Sequence, residues 1–170
     1  VARGVSWART NQEAINQSEA VILAVKPQLV APVLQELEID PSQLLISIAA
    51  GVNVSSLAAW TNPSQCIVRC MPNTPALLRK GITGLFSKEN VSEFQKGLAT
   101  ELMSSIGETS WVAQESEIDS ITALSGSGPA YFFFLMEQMV EAGLELGLSK
   151  ELSENLAKAT AVGAAEMALV

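Results

Sequence analysis

The chain has 170 residues, of which 48% are hydrophobic and 16% charged, with a mean hydropathy of +0.28. A chain this apolar can bury a sizeable core, which excludes an intrinsically disordered protein. Its formal net charge of −8 disfavours binding to nucleic acid. Because the sequence has no histidine, Ser-His-Asp or Cys-His catalysis and His-ligated metal sites are excluded within these residues.

The two ends of the sequence, its lack of targeting patterns and its two cysteines indicate whether the termini are natural and which cellular compartment the protein occupies. The sequence begins at Val1 without an initiator Met and ends in an apolar helical pattern at Val170, so we expect neither end to be a natural terminus. It predicts no signal peptide and no membrane span. Cys66 and Cys70 share one face of a predicted extended segment and are interpreted as buried thiols, without partners for a metal site. These features predict a cytoplasmic protein.

Short apolar runs alternate with helical patterns in the first part of the chain. The runs at residues 20–25, 44–49 and 65–70 predict strands buried on both faces, as in parallel sheets. Alternation of strands with helices is typical of βαβ units around a mainly parallel sheet. The intervening helical patterns cover residues 13–18, 30–37 and 54–60.

The next segment predicts two more strands around one amphipathic helix. Residues 81–86 and 109–113 are the predicted strands, and residues 92–106 the helix. Ser92 with Gln95 has the pattern of a capping box at the start of this helix. Gly107 stands where a left-handed residue would terminate it.

Only helical patterns follow Gln114, at residues 118–124, 129–146 and 150–170. Gly147 is predicted to end the second of these helices and Ser149 to cap the third. We therefore predict an incomplete α/β domain over residues 1–114 and an incomplete all-α domain over residues 115–170.

Three segments of small or polar residues follow the predicted parallel strands, at residues 24–27, 49–51 and 71–76. Open α/β sheets bind ligands beyond the carboxyl ends of their strands. Asn73 and Thr74 offer donors and acceptors between two stiffening prolines. From the residues alone, a ligand-binding edge and a set of ordinary βα turns both stay open. For Lys26, pairing with a phosphate and simple solvation both stay open.

The helical part carries features with more than one interpretation. Residues 131–134 are four successive aromatics, so the predicted helix is apolar nearly all round and belongs in a core or an oligomer interface. Ser125-Gly-Ser-Gly128 does not fit the dinucleotide fingerprint, because no buried strand precedes it and Pro129 follows. Three acidic residues, Glu115, Glu117 and Asp119, flank the predicted domain boundary, where charges are usually solvated.

Four motifs taken together give the chain a specific resemblance. In order they are Ala24-Val-Lys-Pro27, Ser47-Ile-Ala-Ala-Gly-Val52, Arg69-Cys-Met-Pro-Asn-Thr-Pro-Ala76 and Ala123-Leu-Ser-Gly-Ser-Gly-Pro-Ala-Tyr131. The chain resembles the pyrroline-5-carboxylate reductases over essentially its whole length. That resemblance implies a Rossmann-like domain followed by a helical dimerisation domain, within a homodimer or a higher homo-oligomer. It implies an oxidoreductase of proline biosynthesis that reduces 1-pyrroline-5-carboxylate to L-proline with NADPH or NADH.

The resemblance also assigns roles to particular residues. It places Asn11 near the adenosine ribose, Val25 and Lys26 along the dinucleotide, and Ala50 by the nicotinamide half. Glu115 matches a family position near the substrate. The implied cofactor-binding set is Asn11, Ala24, Val25, Lys26, Pro27, Ala50, Met71, Asn73 and Thr74; no catalytic residue is assigned, since we expect those beyond Val170.

Two family segments do not occur in these residues. The Gly-rich phosphate loop is expected upstream of Val1, and a Ser-Pro-Gly-Gly-Thr-Thr segment downstream of Val170, so we expect the 170 residues alone to be inactive. One alternative is a Rossmann-fold dehydrogenase of the β-hydroxyacid type, although residues 129–146 lack the Lys which that family usually carries there. The other is a non-catalytic dimerisation module, which leaves the segment at residues 71–76 unexplained.

Overall fold

Five strands form a sheet in the order β1-β2-β3-β4-β5 in the computed structural model, which describes residues 4–170. The strands β1, β2 and β3 are parallel, β4 runs antiparallel to β3, and β5 is parallel to β4. This mainly parallel α/β sheet, with helices after it in the chain, confirms the predicted Rossmann-like fold class. The strands are β1 (Ala20–Leu23), β2 (Leu44–Ser47), β3 (Cys66–Met71), β4 (Gly81–Ser87) and β5 (Gly107–Trp111).

Polar side chains cap the helices that cover the sheet. Thr10 accepts a hydrogen bond from the N–H of Glu13, Asn53 from that of Ser56, and Ser92 and Gln95 form the predicted capping box. The segment Thr122–Gly126 is a π-helical turn. The α-helices are α1 (Asn11–Ile15), α2 (Val30–Gln35), α3 (Val54–Trp60), α4 (Glu93–Ser104), α5 (Ser116–Ile121), α6 (Gly128–Glu145) and α7 (Lys150–Met167).

The two faces of the sheet carry separate hydrophobic clusters. One face packs against α2 and α3 through side chains such as Leu34, Leu57 and Ile67. The other packs against α4 through Val68, Cys70 and Met103, among others. Alternate residues of β3 therefore serve opposite faces, as the two-residue period of a strand requires. Cys66 packs beside Cys70 on the α4 face, which confirms their predicted common face. Cys70 is buried as predicted, whereas Cys66 is only partly buried.

The strands differ from the predicted runs in extent and direction. β1 ends at Leu23 rather than at residue 25, and within residues 4–170 Ile22 is 47% exposed, so this strand is not buried on both faces there. The strand at residues 81–86 forms, but it enters the sheet antiparallel to β3. A connection this short after β3 cannot make the crossover that a parallel strand needs.

Gly107 is not the left-handed residue after α4 that the sequence predicts. The helix ends at Ser104 and the chain turns through Ser105 and Ile106, so that Gly107 becomes the first residue of β5 with φ of +149°. Gly147, in contrast, has φ of +88° after α6, and Ser149 caps α7 as predicted.

The described chain divides into two compact units, the first reaching Gly126 and the second being Ser127–Val170. Within the first, α5 packs on β3 and β4. Within the second, α6 and α7 pack on each other. The predicted domain boundary near residue 114 stays a prediction. Across residues 4–170, no helix combines the length and the apolar character that crossing a membrane would require.

Candidate functional site

Three loops meet at one edge of the sheet, because β1, β2 and β3 are parallel and neighbouring. We call this the carboxyl edge and define it by residues 24–27, 49–51 and 71–76. Such an edge is where open α/β sheets bind ligands. The fold therefore brings together all of the predicted cofactor-binding residues except Asn11 on these three loops.

The loop after β2 is fixed by backbone contacts. The Ser47 hydroxyl, which is buried, accepts a hydrogen bond from the N–H of Ala49 at 3.3 Å. The N–H of Ile48 donates to the carbonyl of Leu23 at 3.2 Å, which links this loop to the end of β1. Gly51 has φ of +73°, a conformation that favours glycine, and Ala50 beside it is exposed. The result is an accessible backbone surface with little side-chain bulk.

The loop after β1 presents one cation. Lys26 is exposed and forms no ion pair within residues 4–170, and its carbonyl accepts from the N–H of Leu29 as a 3₁₀ turn begins at Pro27. Ala24 and Val25 line a cleft of about 250 Å³ beside β1. Asn11, at the start of α1, lines the same cleft, so the structure places it next to this loop.

The loop after β3 is held by the side chain of Asn73. Its Nδ2 donates to the carbonyl of Ser125 at 3.2 Å, and its Oδ1 accepts from the N–H of Ile82 at 3.0 Å. Thr74 follows as an exposed residue that begins a second 3₁₀ turn. The amide of Asn73 thus contacts protein on both sides, and Met71 and Thr74 remain as the loop's accessible positions.

The charge at this edge differs from that of the chain as a whole. Residues 24–29, 48–56 and 71–78 contain none of the 18 acidic residues, and they include Lys26. Loops without carboxylates do not themselves repel an anionic ligand, as acidic loops in a chain of net charge −8 would. The three loops of the carboxyl edge therefore carry one positive charge, that of Lys26, and no carboxylate of their own.

A buried arginine stands directly behind this edge. Arg69 lies on β3 and is 4% exposed. Its Nη1 lies 3.2 Å from the Oε1 of Glu115, and its Nη2 lies 2.8 Å from the Oδ1 of Asp119. The same Oε1 of Glu115 accepts the N–H of Val54, the first residue of α3, at 2.7 Å. Arg69 is therefore paired with two carboxylates, one of which also binds the start of α3.

The sequence missed this arrangement, and the solvated interpretation of the acidic group was wrong for Glu115. Its side chain is only 24% exposed and has two protein partners, while the predicted role in binding substrate stays a prediction. The sequence feature that could have revealed this arrangement is Arg69, a charged residue in the middle of a predicted apolar strand. Burial of an ion costs several kcal/mol unless it is paired, so acidic partners had to be found.

Two family models match the chain. Residues 115–170 match the model described as pyrroline-5-carboxylate reductase dimerisation, and residues 2–51 match that described as NADP oxidoreductase coenzyme F420-dependent. The chain is 49% identical, over 167 residues, to the pyrroline-5-carboxylate reductase of Pseudomonas aeruginosa; this covers 97% of the chain and 61% of that relative.

This chain belongs to the pyrroline-5-carboxylate reductase family. The solved reductase of Coxiella burnetii superposes with a TM-score of 0.89 at 44% identity, covering 95% of this chain and 61% of that one. That of Plasmodium falciparum, solved with NADP bound, superposes with a TM-score of 0.84 at 36% identity, covering 97% and 64%. The chain thus spans about 61% of the length of the curated family member from Pseudomonas aeruginosa.

Proposed function

We propose that the protein carrying this chain reduces 1-pyrroline-5-carboxylate to L-proline with a hydride from NADPH or NADH. The observation that carries the proposal is the 49% identity to a pyrroline-5-carboxylate reductase over 167 residues. Identity that extends through both compact units supports a common activity better than the fold alone, because one fold serves many reactions. No observation favours a β-hydroxyacid dehydrogenase or a non-catalytic module.

The residues of the carboxyl edge fit a nicotinamide dinucleotide. Ala24, Ala50 and Gly51 are exposed and leave room for a flat ring or a sugar close to the backbone. Lys26 supplies a positive charge for a phosphate, and no carboxylate lies in the three loops to repel one. The relative from Plasmodium falciparum holds NADP, which supports NADPH as the cofactor.

In this reaction the main task of these residues is to position the cofactor relative to the substrate. The bound cofactor supplies the hydride, while the protein must align it with the imine carbon of the substrate. Asn73, tied to Ser125 and Ile82, keeps the loop after β3 in one conformation, and Ser47 does the same for the loop after β2. Holding two reactants in the reactive orientation can lower the barrier by about 7–11 kcal/mol.

The second unit supports assembly of several copies of the protein. Tyr131 and the three following phenylalanines of α6 are 58–64% exposed, so they do not form a core within the described residues. Together with the match to a dimerisation model, these side chains support a homodimer or a higher homo-oligomer in which they are covered. Free thiols at Cys66 and Cys70 and the charge of −8 support a cytoplasmic protein that binds no nucleic acid.

The test is oxidation of NADPH by the complete protein in the presence of 1-pyrroline-5-carboxylate, with L-proline identified as the product. Lys26→Met is expected to raise the KM for NADPH about tenfold, since a charge-assisted contact to phosphate is worth about 1.5–3 kcal/mol. Lys96→Met is the matched control, because Lys96 lies on α4 and pairs there with Glu93. An unchanged KM in Lys26→Met would favour simple solvation of that residue.

Absence of L-proline formation by the complete protein would overturn the proposed activity. The 170 residues alone are expected to show no turnover, since their sequence contains neither a Gly-x-Gly-x-x-Gly nor a Gly-Gly-Thr-Thr segment. Turnover by this chain at the rate of a full-length relative would contradict that expectation.

A further inference from the structure

The ion cluster around Arg69 connects the carboxyl edge to α5. Arg69 stands two residues before Met71, where the loop after β3 begins. Glu115, immediately before α5, reaches both Arg69 and the N–H of Val54 through one oxygen atom. Val54 in turn follows the loop after β2 by three residues. One carboxylate therefore ties the segments that carry two of the three edge loops.

The far end of the same helical segment contacts the loop after β3 a second time. The carbonyl of Ser125 accepts the hydrogen bond from Asn73, and Gly126 lies so close to Met71 that a Cβ on Gly126 would come 2.8 Å from its Cε. Residues 115–126 are thus attached at their beginning by Arg69 and at their end by Asn73. A shift at one attachment has to displace the other, because the intervening helix is a stiff element packed on β3 and β4.

We propose that Arg69 and Glu115 act as positioning residues, which set the cofactor-facing loops after β2 and β3 against α5. In this role Glu115 does not touch the substrate. Asp119 contacts the other terminal nitrogen of the guanidinium from a position that is 71% exposed. The inference rests on the proposed function, because it concerns the geometry of the NADPH site.

Burial explains why the cluster can hold the loops firmly. Arg69 is surrounded by the sheet and by α3 and α5, and a guanidinium in such a place keeps its partners, since an unpaired buried charge is strongly unfavourable. The Oε1 of Glu115 has two donors at 2.7 and 3.2 Å, which fixes its rotamer. The other oxygen, Oε2, does not take part in these two hydrogen bonds, so the inference depends on the test of substrate binding below.

The decisive comparison is between Glu115→Gln and Glu115→Leu in the complete protein. The Oε1 of glutamine can still accept from Val54 and Arg69, so the positioning role predicts that Glu115→Gln rescues most of the activity that Glu115→Leu loses. A carboxylate that binds substrate predicts instead that both variants raise the KM for 1-pyrroline-5-carboxylate. That result would overturn the inference.

A second test of the positioning role uses the variant Arg69→Met. It is expected to lower kcat/KM about 10- to 100-fold, the order of loss that follows displacement of a positioned reactant. The double variant Arg69→Met/Glu115→Leu should lose little more than either single variant, because both break one cluster. The Kd for NADPH, measured from its fluorescence on binding, should rise in each of these variants and stay unchanged in Lys96→Met.

The readouts separate a positioning role from a purely structural one. If Arg69 only stabilises the fold, the variants will show a lower melting temperature or yield, with the wild-type Kd for NADPH and wild-type KM values in the folded fraction. If Arg69→Met does not fold, the same measurements of stability, Kd for NADPH and KM are made on Arg69→Lys and Glu115→Leu. A wild-type protein that binds no NADPH would refute the proposed function; wild-type binding with unchanged variants would refute only the positioning role.

Discussion

Gly107 and Gly81 face each other across the pairing of β4 with β5, and a Cβ on Gly107 would overlap the carbonyl oxygen of Gly81. Gly107 also has φ of +149°, a conformation that L-residues rarely adopt. The N–H of Gly81 donates to the carbonyl of Ile106 at 3.2 Å. The start of both strands therefore depends on the absence of a side chain at residue 107.

Gly107→Ala should lower the free energy of unfolding by more than about 3 kcal/mol, since the overlap involves backbone that cannot turn aside and the φ angle adds strain. Gly97→Ala is the matched control in α4, where nothing lies within 4 Å of the added Cβ. It should raise stability by about 0.5–1 kcal/mol. Urea unfolding of the two variants measures both values, and equal stabilities would contradict the assigned geometry.

Asn73→Ala should lower the free energy of unfolding by about 1–3 kcal/mol, because the N–H of Ile82 and the carbonyl of Ser125 both lose their partner. Asn73→Asp keeps an acceptor for Ile82 but loses the donor to Ser125 and places a carboxylate against its carbonyl oxygen. We expect it to weaken NADPH binding more than Asn73→Ala does. Urea unfolding and NADPH titrations test this pair, and wild-type behaviour of both variants would show that the loop does not depend on Asn73.

The two cysteines should differ in reactivity. Burial raises the pKa of the Cys70 thiol to about 12, whereas Cys66 is partly exposed. A thiol reagent at pH 8 is expected to modify Cys66 in the folded protein and Cys70 only after unfolding, because the thiolate is the reactive form. Modification of the folded protein should appear as a fast phase of the reaction with the reagent. Cys66→Ser should remove this fast phase, and Cys70→Ser should leave it unchanged. A fast phase that follows Cys70 would contradict its burial.

The raised pKa of Cys70 also gives a pH dependence of stability. In the unfolded chain this thiol ionises near the ordinary cysteine pKa of 9.0, while in the folded protein it resists ionisation up to about 12. Its contribution to stability is therefore complete below pH 9 and is lost as the pH rises from 9 towards 12. Cys70→Ala should flatten the wild-type decline in the free energy of unfolding over that window; identical slopes would show that Cys70 has no part in it.

Helices α6 and α7 approach each other closely where Gly143 meets Ser153. A Cβ on Gly143 would lie 2.5 Å from the Oγ and 2.9 Å from the Cβ of Ser153. Gly143→Ala should lower the free energy of unfolding by about 1–3 kcal/mol through overpacking. Gly163→Ala, with open space around it on α7, should be neutral or stabilising.

Ser153→Gly separates overpacking from other causes at this contact. It removes both atoms that the new methyl group would meet, so the double variant Gly143→Ala/Ser153→Gly should be more stable than the sum of the single effects predicts. Simple additivity in urea unfolding would show that the contact between Gly143 and Ser153 does not decide the packing of α6 on α7.

Local chemistry in the sequence determined much of the described architecture. Apolar runs located β1, β2 and β3, helical patterns located α3 and α6, and Ser92 with Gln95 marked the start of α4, since each of these signals acts over a few neighbouring residues. Because βαβ alternation requires parallel strands, the sequence also indicated that the three loops carrying Lys26, Ala50 and Asn73 meet at one edge.

Only the tertiary structure decided the features that depend on residues far apart in the chain. The exposure of Ile22 is one of them, because it depends on which elements of residues 4–170 pack against β1. The antiparallel entry of β4 and the overlap at Gly107 follow from strand pairing. The partners of Arg69 lie 46 and 50 residues away. The sequence pattern indicates that Arg69 stands in an apolar strand. Only the packing shows that Glu115 and Asp119 pair with it, because residues far apart in the sequence become neighbours only in the folded chain.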